Sequence, residues 1–461
     1  RTSVRRARGV RHFKAGAVAL AGGGADRIMT TFEERLSRAL GAETVTLDPA
    51  SLQNYALGGV GPCACATPTS VEQVSVAVAL AAEAGVPCIP WGGGTRQSYG
   101  RPPRLARAPL ILRTTALNRV RDYTPDDLAI SVEAGMTHRG LSAVLDPHRQ
   151  FLPLEVPLAA RATLGGTLAV DADGPRRHAY GGCRDALVGI EVVEATGRRS
   201  KAGGIVVKNV TGFDMMKLYT GSLGSLAVIT AANFKLLPVG RASTTVVAAA
   251  ASLPALFALV DALHASPLVP TACELSDCGW GTQPGWRIAI QAEGLPAAVE
   301  RHRGALEAMA AQAGLSGIRT LEAGEAGALW ARIADFNQAG QGDALIRLAV
   351  LPADLARALG VAGARAAEAG LGLRFTARAL AGVAYLRVAG DALAEWLNAL
   401  CATLPGANIV ALDAAQALPD ALRVGAPPAG RAVMAALKTE FDPNNLLNPG
   451  RALVDAEAKT P

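Results

Sequence analysis

From Ser70 to Gly85 apolar and polar positions recur with a helical period. Val71, Val74, Val78 and Ala81 share one face, Ser70 and Gln73 form a capping box at the start, and Gly85 is the stop. Val86 to Ile89 reads as a short strand that runs into Pro90-Trp91-Gly92-Gly93-Gly94-Thr95, and Arg101-Pro102-Pro103 keeps a helix from following. Leu110 to Leu112, Leu128 to Glu133 and Ala186 to Glu194 read as further strands, the last followed by a turn at Gly197 and a return strand. Thr137 to Leu145 and the segment after Thr163 read as short helices. Leu226, Val228, Phe234 and Leu236 share one parity, which predicts a strand with one buried face.

After Pro238 and Gly240 the pattern changes. A strand (Thr244 to Ala249), a helix (Pro254 to His264), strands near Cys273 and Ile288 and a long helix (Ala297 to Ala313) follow, and a comparable alternation recurs from Ile346 to Val410. Strands alternating with helices around an antiparallel core predict a ferredoxin-like cap. The tail from Ala432 is helical and breaks at Asp442-Pro443 and Asn448-Pro449-Gly450. The expected class is α+β, divided into a basic leader (1–28), a first domain (29–240), an α+β cap (241–431) and a tail (432–461).

A chain of 461 residues suits two or three domains. Its apolar stretches are interrupted well short of the roughly 20 residues of a membrane span, which predicts a soluble protein. The net charge of +6 resides in residues 1–28, where seven basic residues face Asp26 alone. From Met29 onward the charges balance, so nucleic-acid binding loses its compositional support. The leader reads as a start placed too far upstream, with Met29 the true start, or as a targeting peptide. The seven cysteines are sparse and odd in number, and neither Cys63/Cys65 nor Cys273/Cys278 has metal-ligand spacing, which predicts reduced thiols in a cytoplasmic protein. The six histidines form no i, i+4 pair, so no metal site is expected.

Three glycine-rich turns carry the candidate chemistry. The first lacks both the third glycine and the following helix of a dinucleotide fingerprint, and it lacks the Gly-Lys-Ser/Thr of a P-loop. In the second, Thr163-Leu164-Gly165-Gly166, a threonine cap opens a helix whose first N–H groups no side chain shadows. The third runs from Lys208 to Gly224, with Asn209, Thr211, Gly212, Asp214 and Gly221 between. Backbone N–H groups converging from several such turns suit a pyrophosphate.

These turns, with Gly174-Pro175-Arg176-Arg177, Tyr180-Gly181, Arg184-Asp185, Lys208-Asn209-Val210-Thr211-Gly212-Phe213-Asp214, Phe441-Asp442-Pro443 and Asn448-Pro449-Gly450-Arg451, resemble the FAD-binding subunits of bacterial glycolate oxidases. Those subunits are flavoproteins of the vanillyl-alcohol oxidase, or PCMH, type. The resemblance covers residues 30 to 240 and the tail, and touches the middle loosely at Leu329-Trp330 and Ile346-Arg347-Leu348. It implies a PCMH-type two-lobed FAD domain, a cap, and a tail that returns to the flavin domain. It also implies an FAD site made from Pro90, Trp91, Gly92, Gly93, Gly94, Thr95, Gly100, Thr163, Leu164, Gly165, Gly166, Gly174, Arg176, Tyr180, Gly181, Arg184, Val228 and Asn448. Ala227 departs from the family's usual glycine.

With no histidine or cysteine beside Arg96, the FAD is expected to be non-covalent. Trp91 reads as a core residue or as a packing partner of flavin or of a neighbouring subunit. The Arg176-Arg177 cluster reads equally as a seat for phosphate or carboxylate and as a solvated loop with a salt bridge to Asp173 or Asp185. Relatives that oxidise 2-hydroxy acids unaided carry His-x-Gly-Asp-Gly-Asn and Glu-His-Gly runs, and this chain has neither. The expected function is therefore the FAD-binding subunit of a glycolate oxidase-type complex with a catalytic FAD-containing subunit and an iron–sulfur subunit. It would lie in the cytoplasm or, through the complex, at the inner face of a membrane. A self-sufficient D-2-hydroxy acid dehydrogenase and a flavin-free scaffold are the alternatives.

Overall fold

The computed structural model describes residues 31–205, 212–278, 280, 285–338, 342–414, 418 and 430–451. The basic leader and the Lys208 to Thr211 block lie outside them.

Two lobes form the first half. In the first lobe β1 (Val45–Thr46), β2 (Ala64–Ala66), β3 (Cys88–Trp91) and β4 (Leu110–Arg113) make a sheet in the order β1-β2-β4-β3, parallel except at β1. The Val71–Ala84 helix packs Val71, Val74, Val78 and Ala81 onto it, as the periodicity predicts. The Ser70 hydroxyl caps the helix by accepting the Gln73 N–H, while the Gln73 side chain accepts from the Thr69 N–H and not from Ser70, so the capping box is displaced by one residue.

The second lobe is an antiparallel sheet in the order β5-β6-β10-β8-β9, from β5 (Val120–Thr124), β6 (Ala129–Glu133), β8 (Leu187–Glu194), β9 (Arg199–Gly203) and β10 (Ala227–Lys235). A short pair, β7 (Gln150–Phe151) with β11 (Leu237–Pro238), flanks it. Strand β10 corrects the single-face expectation, since both of its faces are buried. Its register against β8 shifts between Ile229 and Ala231. That bulge moves one residue out of alternation. Val228 thus joins the core of the first lobe, whereas Ala232, Phe234 and Leu236 join that of the second.

The cap is one eight-stranded antiparallel sheet built from two β-α-β-β-α-β units. The first comprises β12 (Ala242–Ala250), β13 (Ala272–Ser276), β14 (Trp286–Gly294) and β15 (Ser316–Thr320) with helices Leu253–His264 and Pro296–Gln312. The second comprises β16 (Ala344–Ala349), β17 (Gly372–Arg378), β18 (Val383–Ala389) and β19 (Asn408–Asp413) with helices Leu355–Glu368 and Leu393–Thr403. The order β15-β12-β14-β13-β17-β18-β16-β19 joins two ferredoxin-like halves edge to edge through β13 and β17. Because side chains alternate across a strand, one face (Ile346, Leu348, Leu386) packs on the helices, and the other turns Leu345 and Tyr385 toward Tyr99 and Val170 of the first half.

Candidate functional site

Between the two lobes lies a cleft lined by the ends of β3 and β10, the Leu164–Val170 helix and the tail. Strand β3 delivers Pro90 and Trp91 to its wall, and Gly92 to Thr95 follow; Trp91 stacks edge-on against Tyr55 with ring centroids 5.1 Å apart. Gly92 and Gly93 are there because the lobes nearly touch. A β-carbon on Gly92 would overlap the Thr163 hydroxyl, and one on Gly93 would overlap the Arg161 backbone carbonyl. Among the described residues no acceptor takes the N–H groups of Gly92, Gly93, Gly94 or Thr95, so this turn presents open donors.

The second turn works differently from the expectation. Thr163 does cap the Leu164–Val170 helix, accepting the Gly166 N–H at 3.3 Å. The Leu164 and Gly165 N–H groups, however, donate to the backbone carbonyls of Met136 and Ala134. These donors are spent on neighbouring backbone, so Gly165 and Gly166 shape the wall rather than offer a free anion nest. From the third turn, Leu223 and Gly224 reach the cleft, followed by Ala227, Val228 and Ile229.

The tail supplies the remaining wall. Lys438, fully buried on the Arg431–Phe441 helix, bonds Asp442 at 2.5 Å and the carbonyls of Ser225 and Leu447; Asp442 accepts the N–H groups of Leu446 and Leu447. This clamp lays Leu447 beside Cys88 of β3 and carries Asn448 and Arg451 into the cleft. Asn448 donates to the Leu223 carbonyl, while its Oδ1 is buried without a partner among the described residues. Arg96 Nε and Arg451 Nε and Nη2 are likewise buried without partners among the described residues. Arg96 and Arg451 are the charged residues of the lining, and no carboxylate stands among its described residues. Two cations, open N–H groups at a glycine turn and an orphaned amide oxygen fit a dianionic pyrophosphate joined to a hydrogen-bonding ring. Neither arginine stood among the residues expected at the site. The signal available was the place of Arg96 directly after the first turn and of Arg451 at the end of the Asn448 motif.

The other expected residues lie elsewhere. Leu164 is buried core, and Gly100 packs on Leu223 and Arg451 behind the cleft. Gly174 packs on Glu155, and Gly181 lies against Asp185. Arg184 pairs with Asp171 at 3.8 Å and donates to the Thr220 carbonyl. Arg176 bonds Glu155 at 2.8 Å and reaches Glu293 of β14 at 3.4 Å, and Tyr180 donates to the same Glu293 at 2.8 Å. The basic cluster thus joins the flavin lobe to the cap. Beside it Asp173 accepts from Arg177 and from Arg378 of β17, and Tyr385 of β18 donates to it at 3.2 Å. Burial would raise the Asp173 carboxyl, but Arg378 and Arg177 outweigh it and hold it down to about 2. One step deeper, burial pushes Glu274 up to about 7 against the pull of Arg378.

Residues 62–203 match the family model described as FAD binding domain. The chain is 28% identical over 216 residues to glycolate oxidase subunit GlcD of Bacillus subtilis, covering 47% of this chain and 46% of that one. It is 34% identical over 209 residues to D-2-hydroxyglutarate dehydrogenase of Xanthomonas citri pv. viticola, covering 44% and 43%. With glycolate oxidase subunit GlcE of Escherichia coli it shares 38% over 123 residues, covering 26% and 35%. The matched parts span less than half the length of these relatives. Among solved structures, p-cresol methylhydroxylase with substrate bound superimposes with a TM-score of 0.69 at 18% identity, over 92% of this chain and 96% of that one, a likeness of fold. The chain thus carries an FAD-binding domain of the PCMH type, homologous to glycolate oxidase subunits and 2-hydroxy acid dehydrogenases.

Proposed function

We propose that this chain is the FAD-carrying, electron-transferring subunit of a glycolate oxidase-type complex, in which a second FAD-containing subunit oxidises glycolate to glyoxylate and an iron–sulfur subunit takes the electrons onward. The observation that carries this reading is the composition of the cleft wall. Its described residues include no histidine, carboxylate, lysine or tyrosine to act as a general base toward a hydroxyl proton. His138 is the nearest histidine to the cleft helix, and it bonds Thr167 at 2.8 Å from behind, with burial and Arg96 pulling it down to about 3. His302 is engaged with the Val269 N–H and the Ala298 carbonyl on the cap.

FAD, when bound, supplies the capacity to take up an electron pair and release it stepwise. The residues of this chain hold it without covalent attachment: the Gly92 to Thr95 turn and the arginines receive the phosphates, Val228 and its neighbours give an apolar wall, and Asn448 offers an acceptor. No helix among the described residues is long and apolar enough to cross a membrane. We place its work in the cytoplasm, with any contact at the inner face of the membrane made through the partner subunits.

Purification from the native host, with identification of companions and flavin counted per subunit, tests the assembly. The isolated FAD-loaded chain is expected to leave glycolate and D-lactate unoxidised in a dye-linked assay until the partner flavoprotein is added. Robust oxidation by the chain alone would overturn the subunit reading in favour of a self-sufficient dehydrogenase.

A further inference from the structure

The tail brings into the cleft a guanidinium that the protein leaves half satisfied. Arg451 is 3% exposed. Its Nη1 donates to the backbone carbonyls of Gln97 at 2.6 Å and Tyr99 at 3.2 Å, while Nε and Nη2 have no acceptor among the described residues. Burial pulls its proton affinity down to about 10, and no carboxylate stands among the described residues that line the cleft with it. A buried cation without a counter-charge is costly, and here the charge faces a ligand cleft. The carbonyls that fix Nη1 belong to the continuation of the Gly92 to Thr95 turn, whose N–H groups are open. The guanidinium is thus held by the segment that continues the glycine turn, and both line the same cleft.

We propose that Arg451 contacts the FAD pyrophosphate, and that the cofactor thereby locks the C-terminal tail onto the flavin lobe. The proposal rests on the FAD reading of the cleft. Arginine matches phosphate with paired N–H groups, which supplies the missing acceptors of Nε and Nη2. Tail and cofactor then stabilise each other reciprocally. The remaining anchors of the tail, Lys438 with Asp442 and the bonds between Cys88, Leu446 and Asn448, hold it near its site, and FAD completes the seating.

Titration of the full chain with FAD, ADP and riboflavin tests this. Arg451→Met is expected to weaken FAD and ADP by a similar factor, about 10- to 100-fold for a charge-assisted contact, and to leave riboflavin unchanged; Arg451→Lys should recover part of the loss. Hydrogen exchange on the wild-type chain should slow at the amides of Cys88, Leu447 and Asn448 when FAD or ADP is added, and not with riboflavin. Unchanged FAD affinity in a folded Arg451→Met chain overturns the proposal. So does a loss confined to riboflavin, which would put the contact on the ring, or tail protection indifferent to FAD. If Arg451→Met does not fold, the exchange measurement on the wild type decides. If the wild type itself binds no FAD, the reading of the cleft falls together with the proposal, whereas normal wild-type binding with an indifferent Arg451 sinks the proposal alone.

Discussion

Gly92 and Thr163 approach so closely that a β-carbon on the glycine would overlap the threonine hydroxyl. The two lobes are thus in contact through a glycine on one side and a helix cap on the other, and the cleft wall between them has no room for a side chain. Gly93 is tighter still, because its missing β-carbon would meet the backbone carbonyl of Arg161, which no rotamer change can move. Gly93→Ala should therefore cost about 1–3 kcal/mol of stability and at least about tenfold in FAD affinity. Gly166→Ala, whose β-carbon would meet only the Thr163 hydroxyl at 3.1 Å, should cost less on both counts. Thermal unfolding and flavin titration of the two variants side by side check the order.

Thr163 itself separates shape from capping. Thr163→Val keeps the volume and removes the oxygen that accepts the Gly166 N–H. A loss of about 1 kcal/mol in denaturant unfolding is expected, with the donor then exposed toward the cleft. Thr163→Ser should behave as wild type. If the valine variant is as stable as the serine one, the cap contributes nothing.

Much of this site was legible in the sequence because its grammar is local. A strand, three glycines and a proline pair define the first turn between Cys88 and Pro103, and Thr163 announces its own helix. What was not legible depends on partners far along the chain. The Gly165 N–H is spent because Ala134 lies beside it, and Arg176 and Tyr180 face the cap because Glu293 on β14 reaches them. The parity of Leu226 to Leu236 failed at one bulged residue, which periodicity does not see. Likewise the ferredoxin-like alternation was readable, but the joining of its two halves into one sheet depends on the pairing of β13 with β17.

The buried pair of Lys438 and Asp442 should be far more sensitive than its distance from the glycine turns suggests. Lys438→Met leaves the fully buried Asp442 carboxylate without its counter-ion, which costs about 3–5 kcal/mol. The double variant Lys438→Met, Asp442→Asn should regain part of that, since an amide oxygen still accepts from one of the Leu446 and Leu447 N–H groups without a stranded charge. Urea unfolding of single and double variants gives the coupling directly. Additive losses would mean that the two side chains act independently.

The Asp173, Arg378 and Glu274 network predicts two opposite pH dependences at the junction of flavin lobe and cap. Asp173, held near 2 against an ordinary 3.8, contributes stability that is present above pH 4 and lost as pH falls toward 2. Glu274 has the reverse sign. Its folded value near 7 exceeds the ordinary 4.5, so the folded chain keeps a proton that the unfolded chain has released, and stability falls as pH rises from about 4.5 to 7. Arg378 stays charged, being already committed to Asp173, so the proton in question belongs to Glu274. The expected loss over that interval is about 3 kcal/mol, from roughly 1.4 kcal/mol for each pH unit. Glu274→Gln keeps a hydrogen-bonding group toward Thr376 and removes the titration. Its stability should be nearly flat between pH 5 and 7 and should exceed that of the wild type at pH 8. Equilibrium unfolding across this range decides the matter, because parallel curves for the two chains would mean that Glu274 is already charged in the folded protein.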